Sequence, residues 1–154
     1  MPLVKTGTLC LLLLLCATCA IAQTSPQLRD GAASKPQLFR DLPRQLQVGL
    51  QTLAPLLQKE VGERVTFPLS PSFAFSGIVV SKSDAAETRY KTVVLKCTNR
   101  PGAGFTVSAI RRPDGSYRYQ GQLLSLHHSD AYELVETYGR FTLEKRDAAD
   151  LVSE

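Results

Sequence analysis

The sequence predicts an α+β domain in which an N-terminal amphipathic helix packs on a six-stranded antiparallel β-meander. Three observations support this fold class. Apolar residues recur every three or four positions from Leu42 to Val61, and the period changes to two from Phe73 onwards. The later segments are also joined by connections that are too short to carry a crossover helix. A barrel partly closed around the helix is the alternative architecture.

The first 22 residues have the composition of a secretory signal peptide. Lys5 supplies a positive charge, an apolar run extends from Leu9 to Leu15, and residues 20–22 (Ala-Ile-Ala) provide the small residues of a cleavage site. The run is shorter than the roughly 20 residues that cross a bilayer. We therefore expect cleavage after Ala22, no transmembrane segment, and a mature protein in the periplasm or outside the cell.

After cleavage, the mature chain is long enough for one domain and keeps one cysteine. Cleavage leaves 132 of the 154 residues, which is enough for one domain. Residues 23–37 lack apolar periodicity and are interpreted as a flexible lead-in, and residues 38–154 as the single folded domain. Three of the four cysteines leave with the leader, so Cys97 has no internal disulfide partner. Its position in an apolar strand pattern favours burial over an intermolecular disulfide or a catalytic role.

The predicted helix carries one apolar stripe. The stripe consists of Leu42, Leu46, Leu50, Leu53, Leu57 and Val61. Asp41 is a candidate N-cap, Pro43 suits the first turn, and Gly62 is a candidate stop. Pro55 lies inside the pattern, so we expect a kink or a break near residues 52–54.

Six short strands are predicted after the helix, because apolar and polar residues alternate there. The apolar face of these strands carries Phe73, Phe75, Val79, Val93, Leu95, Cys97, Phe105, Val107, Ala109, Tyr117, Tyr119, Leu123, Tyr132, Leu134, Phe141 and Leu143. Turn residues separate the strands, as in Arg112-Pro113-Asp114-Gly115 and Tyr138-Gly139. The opposite face is polar, which predicts a sheet that is buried on one side only.

The polar face and its loops are the candidate binding surface. The candidate residues are Arg112, Arg118, Arg140, Arg100 and Lys96. A basic patch of this kind would bind an acidic protein or an anionic glycan. The alternative is that these charges provide solubility and prevent edge pairing between sheets. Loss of Lys5 lowers the net charge from +4 to about +3, which does not favour nucleic acid as a partner.

The two histidines of the chain raise the question of a metal or catalytic centre. His127 and His128 are adjacent, and Asp130 follows them. Neighbouring residues of a strand point to opposite faces, so both rings reach one ion only where the backbone turns. Ser125 or Ser129 would complete a Ser–His–Asp group, but no G-x-S-x-G motif is present. We therefore predict no metal and no cofactor.

These observations together predict a small exported, non-enzymatic domain that acts as a binding module, such as an inhibitor or an accessory subunit. A hydrolase or metal-binding enzyme centred on His127, His128 and Asp130 is one alternative. A structural or stress-related envelope protein without a small ligand is the other. The sequence names neither the ligand nor the oligomeric state.

Overall fold

A computed structural model describes residues 35–83 and 89–152. The strands in these ranges are β1 (Gln45–Val48), β2 (Arg64–Ser70), β3 (Phe73–Ser83), β4 (Tyr90–Cys97), β5 (Gly104–Arg111), β6 (Tyr117–Leu124), β7 (Asp130–Thr137) and β8 (Arg140–Asp147). The helices are α1 (Leu50–Leu56) and α2 (Ala148–Val152). The predicted leader, most of the lead-in and part of the turn that residues 83–86 (Ser-Asp-Ala-Ala) predict between the first two strands lie outside the described residues.

The eight strands form one antiparallel sheet that curls into a nearly closed barrel. Their order is β1-β8-β7-β6-β5-β4-β3-β2, and the two outer strands, β1 and β2, lie against each other. The mostly antiparallel sheet confirms that part of the predicted fold. The barrel alternative is closer to the structure than a helix packed on an open meander, but the predicted number of six strands is wrong, because β1 and β2 were not predicted.

The six predicted strands are confirmed as β3 to β8. Their alternating residues bury one face, as Phe75, Val93, Phe105 and Leu143 illustrate with no exposed surface. The predicted turn at residues 138–139 joins β7 to β8 with both residues in the left-handed region. Tyr117 departs from the predicted apolar face, because 40% of its surface is exposed near the end of the barrel.

The predicted helix from Leu42 to Val61 is wrong over most of its length. Residues Gln45–Val48 form β1 instead, which pairs with β8 and places Leu46 opposite Leu143. Leu46 and Val48 are buried, and this spacing of two fits a strand as well as the spacing of four fits a helix. The free edge of β8 decides the outcome, because its backbone groups need hydrogen-bonding partners.

The observed helix α1 is short and follows β1. Gly49 precedes it in an extended conformation, and its carbonyl accepts the first hydrogen bonds of the helix. The helix ends at Leu56, so the break expected at residues 52–54 is also wrong; Pro55 lies in the last turn. Leu50 and Val61 are 47% and 61% exposed, which removes both ends of the predicted stripe from the core.

The predicted helix boundaries have other roles in the structure. Asp41, the expected N-cap, forms an ion pair with Arg100. Gly62, the expected stop, has φ +93° in the turn before β2, and its N–H donates to the carbonyl of Val79. Both residues therefore serve tertiary contacts rather than helix capping.

Different segments cover the two ends of the barrel. Helix α1 follows β1 at one end, called the α1 end, and supplies Leu53 to the core. Residues 36–44 precede β1 and cover the other end, where Phe39 is fully buried. The ring of Phe39 packs edge-on against Tyr132, with 5.5 Å between the ring centroids. The core lies between these two covers. In the described part of the chain, neither helix is long and apolar enough to cross a membrane.

Candidate binding site

The sheet parts between β6 and β7. These two strands pair at only two positions, Gln122 with Glu133 and Leu123 with Tyr132. By contrast, β5 pairs with β6 along the whole of β6, and β8 pairs with β7 along the whole of β7. The two strands therefore diverge towards the α1 end, and their facing edges form no further ladder.

This divergence opens a cavity of about 830 Å³ on the outer side of the sheet. We call it the β6–β7 groove. Its lining comprises Thr106, Ser108, Arg112, Arg118, Tyr119, Gln120, Gly121, Gln122, Glu133, Leu134, Val135, Glu136, Tyr138 and Gly139. Hydroxyl, amide and charged groups dominate this set, so the groove is suited to a polar ligand.

The alternation of β6 determines which side chains face the groove from the outer surface. Leu123 is buried, so Arg118, Gln120 and Gln122 lie on the opposite, outer face. Gly121 between them is required by packing, because a Cβ there would lie 2.8 Å from the carbonyl oxygen of Thr106. A glycine inside a strand is a sequence signal for such a close approach.

The acidic groups of the groove are already paired with arginines. Glu136 lies 3.9 Å from Arg112, and Glu133 lies 3.0 Å from Arg146. The hydrogen bond to Glu133 raises the pKa of Arg146. Arg118, in contrast, has no ion pair within the described residues. Arg146 also pairs with Glu144, so the charges of the groove and its surroundings balance, but the guanidinium of Arg118 makes no ion pair of its own.

Neutral polar groups in the groove are also uncommitted. The side chains of Thr106, Gln120 and Gln122 form no hydrogen bond with any described residue. Ser108 differs, because its hydroxyl lies 2.8 Å from that of Thr92. Three side chains are thus free to exchange water for a ligand.

The five predicted binding residues do not form one patch. Arg112 and Arg118 both line the groove. Arg140 begins β8 opposite Thr137 and is exposed, but it is not part of the lining. Lys96 lies on β4 opposite Gly104, in another part of the sheet.

Arg100, the fifth predicted binding residue, has a structural role at the end of the barrel remote from α1. Its guanidinium pairs with the carboxylate of Asp41 and donates to the carbonyl of Leu38 at 3.2 Å. It also lies over the ring of Phe73, 5.3 Å from the centroid. These contacts occupy the side chain.

Asp130 makes no hydrogen bond to His127 or His128 among the described residues. Asp130 is buried, and its two carboxylate oxygens accept the N–H groups of Leu38 at 2.6 Å and Phe39 at 2.9 Å. His128 is 2.9 Å from the hydroxyl of Ser125, which is itself only 1% exposed. Across residues 35–83 and 89–152, no three His, Cys, Asp or Glu side chains converge on a common point.

Asp130 belongs instead to a set of side chains that hold residues 36–44 in place. The ammonium of Lys145 donates to the backbone carbonyls of Phe39 and Leu42. The hydroxyl of Tyr132 donates to the backbone carbonyl of Pro43 at 2.5 Å. Burial, followed by the negative charges of Asp130 and Asp41, raises the pKa of Tyr132 to about 12. Sequence inspection misses this set because the bonded residues lie about 90 or more positions apart.

The chain matches no family model, no curated protein and no solved structure. Its function is therefore inferred from the site itself. Parted strands, uncommitted polar side chains and an unpaired guanidinium meet in the β6–β7 groove. We take this groove as the candidate site.

Proposed function

We propose that this protein is an exported, non-enzymatic interaction module that binds its partner in the β6–β7 groove. The parting of β6 and β7 carries the proposal. Both strands are eight residues long, but they pair at only two positions. The N–H and C=O groups of their remaining facing edges therefore bond to water, whereas a longer ladder would bond them to each other. A ligand that forms hydrogen bonds with these groups would supply part of the stabilisation that the missing strand pairing does not provide.

The chemistry of the groove favours binding over catalysis. Arg118, Gln120 and Gln122 offer hydrogen-bond donors and acceptors, and the two carboxylates that could act as general bases, Glu133 and Glu136, are held in ion pairs with arginines. The alternative enzyme site has little support, because Asp130 binds two backbone N–H groups and Ser125 is buried. No particular observation favours a structural envelope role.

Export rests on the leader sequence, which lies outside the described residues. If the leader is cleaved as proposed, the protein recovered from the periplasm or the medium begins at Gln23. Mass spectrometry of the intact protein from each cell fraction tests this. An intact chain found in the cytoplasm alone would contradict export without affecting the groove.

Binding is tested with variants that change the groove and leave the core intact. Immobilised residues 23–154 are incubated with envelope extract and culture fluid of the producing cells. We expect a partner that binds saturably. Arg118→Gln and the double variant Gln120→Ala/Gln122→Ala should each lower its affinity by about tenfold. Lys96→Gln is the matched control, since Lys96 is an exposed cation on the same sheet outside the groove.

The comparison among variants decides the result. A partner that depends on the groove residues and not on Lys96 supports the proposal. A partner retained equally by every variant would place the binding surface elsewhere. Thermal melting of each variant excludes loss of binding through unfolding.

A further inference from the structure

Arg118 is the charged side chain of the β6–β7 groove lining that makes no ion pair with a described residue, so it is the point at which an anion of a ligand can bind. Both carboxylates of the groove, Glu133 and Glu136, already face arginines. Arg118 has none of these pairings within the described chain. A guanidinium binds carboxylate or sulfate groups through two parallel hydrogen bonds. The ligand is therefore expected to present an anionic group to Arg118.

The neutral groups beside Arg118 are suited to hydroxyl-bearing ligands. Gln120 and Gln122 follow it on the same face at intervals of about 7 Å, and Thr106 lies across from Gln122 on β5. Amide and hydroxyl groups both donate and accept hydrogen bonds, as sugar hydroxyls do. An added peptide strand would gain affinity from backbone hydrogen bonds but specificity from pockets for alternate side chains, and the uncommitted side chains of this groove are polar.

Tyr138 adds an aromatic face at the edge of the groove. It is fully exposed, and its φ of 50° lies in the left-handed region that a tyrosine rarely adopts. The ring has no packing role in the barrel, so its conformation and exposure both oppose stability. Unfavourable features of this kind persist where they serve function. A flat, exposed ring is suited to packing against the C–H face of a sugar.

We infer that the β6–β7 groove binds a segment of an anionic polysaccharide, an inference that rests on the proposed function. Arg118 pairs with the carboxylate or sulfate of one sugar. Gln120 and Gln122 bind hydroxyls of its neighbours, and Tyr138 packs on a ring near the α1 end. From Arg118 to Gln122 the site measures about 14 Å, which accommodates a short oligosaccharide.

The test measures binding of defined hexamers to residues 23–154 by titration calorimetry. The probes are a hexamer of galacturonic acid, a sulfated hexasaccharide, a neutral galactose hexamer and hexaglutamate. We expect at least one anionic sugar to bind about tenfold more tightly than the neutral hexamer and than hexaglutamate. The tighter of the two anionic sugars identifies whether the polymer carries carboxylate or sulfate. Binding should weaken as salt rises.

Variants connect this binding to the groove. Arg118→Gln and Tyr138→Asn should each weaken sugar binding by about tenfold, and Lys96→Gln should leave it unchanged. Asparagine suits the left-handed turn position, so its substitution removes the ring while keeping the turn. Equal weakening by Lys96→Gln would overturn the inference, because it would indicate nonspecific attraction to charge.

Two further results would overturn the inference and remain distinct from failure of the proposed function. Tight binding of hexaglutamate would assign the groove to an acidic protein. No binding of either anionic sugar, together with a captured partner that depends on Arg118, would leave the groove as an interaction site for another ligand. A captured partner insensitive to Arg118 would refute the groove itself.

Discussion

Asp130 shows how a residue predicted for a metal site can instead stabilise the fold. It begins β7 and is almost fully buried, with both carboxylate oxygens bonded to backbone N–H groups of the segment that covers the barrel. A buried carboxylate is tolerated because these charge-assisted bonds replace its hydration. Its contribution should therefore appear in stability measurements.

Replacing Asp130 by asparagine should lower the free energy of unfolding by about 2–3 kcal/mol. The substitution turns one accepting oxygen into an NH2 group that faces a backbone N–H. Asp41→Asn is the control, since the Asp41 side chain is 61% exposed and its ion pair contributes less than about 1 kcal/mol. Urea denaturation measures both changes, and equal losses would contradict the assigned role.

Tyr132 should make stability fall in alkaline solution. Its pKa of about 12 in the folded protein exceeds the ordinary value of 10, so its contribution is complete below pH 10 and is lost as the pH rises towards 12. The difference between these two pKa values means that ionisation of the phenol removes about 2–3 kcal/mol of stability. At neutral pH, Tyr132→Phe should cost about 1–2 kcal/mol, because the hydrogen bond to Pro43 is lost.

The comparison of wild type and Tyr132→Phe isolates this residue. Other ionisable groups affect both proteins alike, so the advantage of wild type in unfolding free energy should fall from pH 10 to pH 12 and reach zero or reverse near pH 12. Urea denaturation at half-unit intervals measures the difference. A difference that stays constant across this range would contradict the burial of an ionisable phenol.

At the scale of elements, β1 shows that one apolar pattern can satisfy two secondary structures. Leu46 and Leu50 are four residues apart and would share one face of a helix. In the structure, Leu46 belongs to β1 and is buried, while Leu50 begins α1 and is about half exposed. The two leucines therefore differ in their contribution to the core.

Leu46→Ala should reduce the free energy of unfolding by about 2–4 kcal/mol, because it leaves a cavity against β8. Leu50→Ala should cost less than about 1 kcal/mol, because alanine favours a helix and little apolar area is lost. Chemical denaturation of the two variants tests the assignment. Similar losses would favour the continuous helical stripe.

The turn between β7 and β8 is built from two residues with positive φ, Tyr138 at 50° and Gly139 at 75°. Such turns favour asparagine followed by glycine. We expect Tyr138→Asn to raise the melting temperature by a few degrees, while Gly139→Ala lowers the unfolding free energy by about 1 kcal/mol. A loss of stability in Tyr138→Asn would mean that the tyrosine supports the fold.

At the scale of the whole molecule, packing holds the described barrel together without a disulfide. Cys97 is free and only 2% exposed, and its thiol donates to the side-chain oxygen of Asn99 at 3.1 Å. Burial raises the pKa of this thiol. The predicted burial of Cys97 is confirmed, and its reactivity should report on opening of the barrel.

Thiol labelling of the native protein should be slow and should accelerate steeply across the unfolding transition. In the folded state the labelling reagent cannot reach Cys97, and the raised pKa keeps its thiol protonated and unreactive. Labelling of residues 23–154 at increasing urea concentrations, followed by mass spectrometry, measures this. Complete labelling within seconds in native buffer would contradict the packing of β4 in the core.

Local pattern was sufficient for part of the fold. Strands β3 to β8 could be predicted because every second residue, such as Val93, Leu95 and Cys97, is apolar and this period is set by the strand itself. The turn at Tyr138-Gly139 was equally local. The polar face containing Gln120 and Gln122 followed from the same alternation.

The remaining features depend on contacts between distant residues. The free edge of β8 converted Gln45–Val48 from predicted helix to strand, and Asp130 bonded to a segment 92 residues earlier. The β6–β7 groove exists because the two strands diverge after pairing at two positions. The residues of the two strands do not predict this divergence. The sequence by itself determined the alternation of faces and the turns, because these follow from neighbouring residues. Only the tertiary structure decided the barrel, its end cover and the groove, because each depends on which edges and charges meet in space.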